Sequence, residues 1–173
     1  MISLPTGTKL MNWISTTTGG ILGVYTTARC LFMVLVLVMF TLGGTTGIVL
    51  GNAAVDVALH DTYYVIAHFH FILSPGAITS TIIGVLYSQE ILSASTPLCT
   101  STIYIHYYIN ISMGITGIFT PQHLQGNNYQ PRRVEGTLDS YNSWNTLSSL
   151  VSLTPTTPTY ILYTLLINRI LFL

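Results

Sequence analysis

Among the long runs of this chain that carry no Asp, Glu, Lys or Arg are 30–55, 62–89 and 140–168. Each is at least as long as the ~20 residues that carry a helix across the hydrocarbon core of a bilayer. The pattern predicts helices over 30–54, 63–87 and 144–171, and a fourth over 101–120, where "IYIHYYINISMGITGIF" is Ser-, Thr- and Tyr-rich but formally uncharged apart from His106. A partial helix over 4–16 is bent by Pro5 and Gly7 and ended by Thr17-Thr18-Gly19-Gly20. In 30–54, Gly43-Gly44 and the Gly47–Gly51 pair suit close approach of a neighbouring helix. A short polar turn with Asp56, His60 and Asp61 follows it, and Ser88-Gln89-Glu90 closes the next span. "TPQHLQGNNYQPRRVEGTLDSYNSW" reads as a long polar connection, and Pro155 and Pro158 kink the last span. No internal repeat is visible.

Composition turns these runs into a class. Half of the 173 residues are apolar, and only five are basic and five acidic, far below the roughly 25% charged residues of a soluble domain. The expectation is an all-α integral membrane protein, a polytopic bundle of about four transmembrane helices plus a partial N-terminal one. Zero net charge without a basic run excludes nucleic acid as a partner. Cys30 and Cys99 are too few and too isolated for a disulfide framework or a zinc site, and read as small apolar fillers. The opening "MISLPTGTK" has no cleavage pattern of a secretory leader. Arg29, Glu90 and Arg169 fall on one side of the predicted bundle, Asp56, Asp61, Arg132, Arg133, Glu135 and Asp139 on the other. The positive-inside rule weakly turns the first set toward the matrix or cytoplasm.

Against this apolar background, "LHDTYYVIAHFHFIL" (59–73) spends three histidines and an aspartate. On a helix His68 and His70 are separated by about 200°, so their imidazoles leave opposite faces. Chelation of one metal needs i and i+4 on one face, so two separate sites flanking one helix are expected. A haem iron needs only one or two axial protein ligands, and Phe69 between the histidines is a natural packing wedge. The competing reading is a pair of hydrogen-bonded packing histidines, although ionisable groups at membrane depth are costly and usually functional. If the segment is helical throughout, His60 lies about 12 Å along the axis from His68. With Asp56 and Asp61 it forms a cluster at the membrane edge that suits a hard divalent ion or a propionate network, or else simply a solvated turn with a helix cap. Arg132-Arg133 offers two guanidiniums able to bind carboxylates bidentately, or to anchor at lipid phosphates.

"DVALHDTYYVIAHFHFILSPGA" closely resembles the haem-carrying helix of subunit I of the haem–copper oxidases, in its cytochrome c oxidase branch rather than the quinol one. "LPTGTKLMNWI", "FTLGGTTGIVLGNAAVD", "FTPQHLQG" and "QPRRVEGTLDSYNSWNTLSS" extend the resemblance over 5–153 in the family's order. It implies that His68 is the proximal ligand of haem a3 and His70 one of two axial ligands of haem a. His60 and Asp61 would hold magnesium at the interface with subunit II. Asp56, Arg132, Arg133 and Tyr63 would lie at the haems and their propionates, and Thr6 and Lys9 would belong to the K proton pathway. The resemblance is to the C-terminal part of subunit I alone.

Nothing in the sequence resembles the family's copper-B histidines, its cross-linked His–Tyr pair, the second haem a histidine or the D pathway, and His106 and His123 do not substitute for them. The chain is therefore expected to work only in a complex: with the N-terminal part of subunit I in another chain, carrying copper B, and with subunits II and III, cytochrome c and lipid, in the mitochondrial inner membrane. The implied activity is reduction of oxygen to water coupled to proton pumping. The alternative is a haem-free relic kept as a structural or assembly protein. Retention of both His68 and His70 with Asp56, His60, Asp61, Arg132 and Arg133 speaks against it. "LQGNNYQ" and "LTPTTPTY" place Gln, Thr and Pro where the family carries Leu or Met.

Overall fold

The computed structural model describes residues 1–19, 28–93, 101–156, 159–160, 163 and 167. Cys99, Arg169, the side chains of Arg29 and Glu90, and most of the second half of the last predicted span lie outside the described residues. So does the orientation expectation that rests on them.

Among the described residues the chain forms α1 (Ser3–Thr18), α2 (Ala28–Leu50), α3 (Ala53–Leu59), α4 (Tyr63–Ser93), α5 (Ser101–Asn127) and α6 (Asp139–Val151). No strand joins them; a single antiparallel bridge pairs Thr62 with Pro131. α1 continues through Pro5 and Gly7 and stops at Gly19, whose N–H bonds the carbonyls of Ser15 and Thr17.

Several helix limits differ from the sequence expectation. The polar turn after the first long span is instead the helix α3. Asn52 leaves helical geometry (φ −83°, ψ 110°) and its side-chain oxygen accepts from the Ala54 N–H at 3.3 Å, breaking α2 and restarting the chain. α4 runs past Ser88-Gln89-Glu90 to Ser93 and carries Pro75 inside it, fully buried. Proline removes one helical hydrogen bond, which neighbouring helices make tolerable in an apolar setting. The expected connection after residue 120 is still helix: α5 continues through Pro121 and "QHLQGN". His123 is therefore a helix residue rather than a loop one. What decides this is packing, since Gly126 in the last turn of α5 lies directly against the Tyr64 backbone, where a Cβ would stand 2.2 Å from the Tyr64 nitrogen. α6 begins at Asp139, five residues before Trp144, with that aspartate in the first turn where the helix dipole favours an anion. The true α5–α6 connection is 128–138.

The core lies where α2, α4 and α5 meet. Phe32, Leu35 and Met39 from α2, Ala67, Phe71 and Ile82 from α4, and Tyr107, Ile111, Ile115 and Phe119 from α5 are buried in one cluster. Small residues bring the helices together. A Cβ on Gly43 would strike the Ile72 side chain at 2.5 Å, and one on Gly117 the Val151 side chain at 2.7 Å. Ser148 of α6 donates to the Ile118 carbonyl of α5 at 3.1 Å. Large apolar side chains also cover the outside: Val34, Val38 and Leu42 of α2, Leu73 and Ile78 of α4, Ile109 and Met113 of α5. Cys30–Leu50 and Tyr63–Val85, of 21 and 23 residues, are long and apolar enough to cross a membrane. An apolar interior and an apolar exterior on one bundle is what a bilayer asks of a helix.

Candidate metal centre

The first half of α4 sends its two histidines to different neighbours. His68 reaches α2, where its Nδ1–H donates to the Gly43 carbonyl at 2.8 Å, with the Thr46 hydroxyl 3.0 Å from the same nitrogen. Thr46 itself donates to the Gly43 carbonyl at 2.7 Å. The ring lies over Gly47, where a Cβ would meet Cε1 at 2.7 Å. Only glycine leaves room for the imidazole there. His70 turns the other way, its Nδ1–H donating to the Ile66 carbonyl at 2.8 Å and its ring stacked on Phe119 of α5. In both histidines a carbonyl partner fixes the proton on Nδ1 and leaves Nε2 as the lone-pair nitrogen, the arrangement that prepares an imidazole to ligate.

His68 also lines a cavity of about 950 Å³ between α1 and α2, with Thr6 and Gly7 from one side and Gly44, Gly47 and Gly51 from the other. Small residues and one imidazole on an apolar wall fit a broad flat group with a single axial nitrogen. Thr6 faces this space and its hydroxyl donates to the Ile2 carbonyl at 2.9 Å. Lys9 lies exposed on α1 and does not line the cavity.

At the start of α4 the polar residues form a second group. Arg132 donates from Nε and Nη2 to one oxygen of Asp61, at 2.8 and 2.5 Å. That hydrogen bond, with the positive charges of Arg132, His60 and Arg133 behind it, holds the Asp61 carboxyl below the usual carboxylate range. The other Asp61 oxygen lies 3.5 Å from His60 Nε2, and His60 Nδ1 lies 3.9 Å from Asp56. Both aspartates and His60 are well exposed, so these contacts are weak and leave lone pairs available. Among the described residues no three His, Cys, Asp or Glu side chains converge as a complete metal set; His60 and Asp61 are at most part of one. The backbone does the positioning. Tyr63 N–H donates to the Gln130 carbonyl at 3.1 Å, Arg132 N–H to the Asp61 carbonyl at 2.9 Å, and Gln130 N–H to the Gln125 carbonyl at 3.1 Å. Asp61 and Arg133 both have positive φ, 55° and 62°, a conformation costing a non-glycine residue about 1–2 kcal/mol.

Thr46, Phe119 and the Asp61–Arg132 pair were absent from the sequence reading. Gly47 was noted only for helix approach. No motif announces them, because each acts across a helix interface rather than along the chain.

These features define an all-α protein with two helices fit to cross a membrane, one of them sending two imidazoles to different neighbours. Residues 1–154 match the family described as cytochrome c and quinol oxidase polypeptide I, and the chain belongs to that family. It is similar to cytochrome c oxidase subunit 1 of Plasmodium chabaudi (46% identical over 142 residues) and of Plasmodium falciparum (44% over 142). Similarity extends to that of Candida albicans, at 39% over 144 residues. Each match covers 82% of this chain, but the chain spans only 29%, 29% and 26% of those relatives' lengths. It corresponds to part of a subunit I.

Proposed function

We propose that this chain is the haem-ligating C-terminal portion of the catalytic subunit of a cytochrome c oxidase, working in a complex in the mitochondrial inner membrane. The observation that carries the reading is the pair of imidazoles leaving α4 toward α2 and α5, each with its Nδ1–H tied to a carbonyl. His68 is assigned to the iron of haem a3 and His70 to that of haem a. Arg132, Arg133, Asp56 and Tyr63 are assigned to the haems and their propionates, and His60 and Asp61 to a magnesium site whose other ligands come from subunit II. The haems and copper B supply the electron transfer and oxygen chemistry. The copper ligands and the second haem a ligand belong to the remainder of subunit I; subunit III and cytochrome c complete the assembly. The count of about four transmembrane helices plus a partial N-terminal one belongs to the same proposal.

What this chain's residues do follows from their geometry. The Gly43 and Ile66 carbonyls raise the basicity of the imidazoles by accepting their Nδ1 protons. Gly44, Gly47 and Gly51 keep the cavity wall flat. The Asp61–Arg132 pair and the backbone bridge at Thr62–Pro131 hold the arginines beside the start of α4. Thr6, on the cavity wall, and Lys9 one turn further along α1 are assigned to proton delivery, with Lys9 passing protons toward Thr6 and the cavity.

The test is a reduced-minus-oxidised optical spectrum of the native complex purified through this chain. An a-type band is expected. His70→Ala removes the low-spin signal and His68→Ala the high-spin one. No a-type haem in a complex that contains the chain returns both histidines to a packing role and leaves a relic or assembly protein.

A further inference from the structure

Phe119 is buried at the α4–α5 interface, and its ring lies 5.1 Å from the His70 imidazole with only 14° between the planes. The other close aromatic, Phe69, is 4.2 Å away at 32°. These neighbours differ in kind. Phe69 precedes His70 on the same helix and moves with it. Phe119 belongs to α5 and refers the imidazole to a second element. Phe119 is itself confined, since Phe71 packs edge-on against it at 6.2 Å and His123 lies 5.3 Å beyond Phe71. The hydrogen bond from Nδ1 to the Ile66 carbonyl pins one vertex of the imidazole. A ring held at one vertex still turns, and a near-parallel stack removes that freedom.

Resting on the reading of His70 as an axial ligand, we propose that Phe119 is a positioning residue that sets the plane of the His70 imidazole about its bond to the low-spin haem iron. The orientation of an axial imidazole plane determines which iron d orbital its π system meets. It therefore shapes the magnetic anisotropy of a low-spin ferric haem without changing the ligand set. Such an outer contact tunes a metal through its ligand's orientation.

The experiment uses the assembled complex and low-temperature electron paramagnetic resonance. Phe119→Leu and Phe119→Met, which fill volume without a planar face, are expected to shift or broaden the largest g value of the low-spin haem. Haem content and the high-spin signal stay as in the unmutated complex. Phe119→Tyr, which keeps the face, is expected to restore the original g values. Phe32→Leu, which empties core packed on Tyr107 and Tyr108 and makes no ring contact with the stack, leaves them in place; a merely structural role for Phe119 predicts that both sites act alike. An unchanged g tensor in Phe119→Leu at full haem content overturns the proposal. A second measurement needs no variant: in a structure of the haem-loaded complex the Phe119 and His70 planes are expected near-parallel, and crossed planes overturn it. An unmutated complex with no low-spin haem is a different result, which removes the reading of His70 itself.

Discussion

Glycine at position 47 earns its place through a single ring. A methyl there meets His68 Cε1 at 2.7 Å, so Gly47→Ala forces the imidazole off its Gly43 carbonyl, an overpacking cost of about 1–3 kcal/mol. In the assembled complex the variant is expected to lose most of the high-spin haem band and keep the low-spin one, read in a single optical spectrum. Gln130 presents the opposite case. The residue is 1% exposed and neither side-chain amide atom finds a hydrogen-bond partner among the described residues, while its backbone ties α4 to the arginine loop. Because a buried unpaired polar group costs about 1–3 kcal/mol, Gln130→Leu is expected to raise the thermal denaturation temperature of the complex. A drop would show that the amide has a partner outside this chain. The residue types at 68, 70 and 132 announce their chemistry in the sequence. Gly47 and Phe119 do not, because what they do depends on which ring lies opposite.

Among the helices, the tightest approach is that of α5 to the start of α4. A Cβ on Gly126 would stand 2.2 Å from the Tyr64 nitrogen, 2.4 Å from its Cβ and 2.5 Å from its Cα. Two of these three are backbone atoms, which do not rotate away. Gly126→Ala is therefore expected to separate the helices and cost more than Gly47→Ala, seen as a lower denaturation temperature and easier proteolysis within 128–138. Gly76 on α4 has open space around its missing Cβ. Gly76→Ala is expected to be neutral or to gain up to about 1 kcal/mol of helix propensity. The same interface explains the sequence's weakest forecast. Pro121, Gln122 and Gly126 look like loop chemistry when read locally, and only packing of Phe119, His123 and Gly126 on α4 keeps them helical. Asn52, by contrast, broke α2 through a local side-chain cap.

Over the whole chain, burial is uneven. The core belongs to α2, α4 and α5, whereas α1 buries no residue, and Leu4 and Met11 on it, like Met1 and Ile2 before it, are exposed. An element with so few contacts opens easily. Amide hydrogens of residues 3–18 are expected to exchange faster than those of 63–80 when the chain is isolated in detergent, and to become protected in the assembled complex. Equal protection in both preparations would show that α1 docks on this chain alone. The chain spans 29% of the length of its Plasmodium relatives, and the rest of a subunit I is the proposed cover for α1 and for the cavity beside it.

Sequence alone determined the all-helical character, the two long apolar helices and the opposite directions of His68 and His70. Those depend on charge spacing and on 100° per residue, both local quantities. It also carried the family, through motifs that are contiguous in the chain. Tertiary structure decided where α4 and α5 end, why α1 stands away from α2 beside a cavity, and which groups meet each histidine. Gly43 and Thr46 lie 25 and 22 residues from His68, and Asp61 lies 71 from Arg132. Contacts at such separations exist only once helices have packed, because interface geometry is set by the volumes of side chains from different segments.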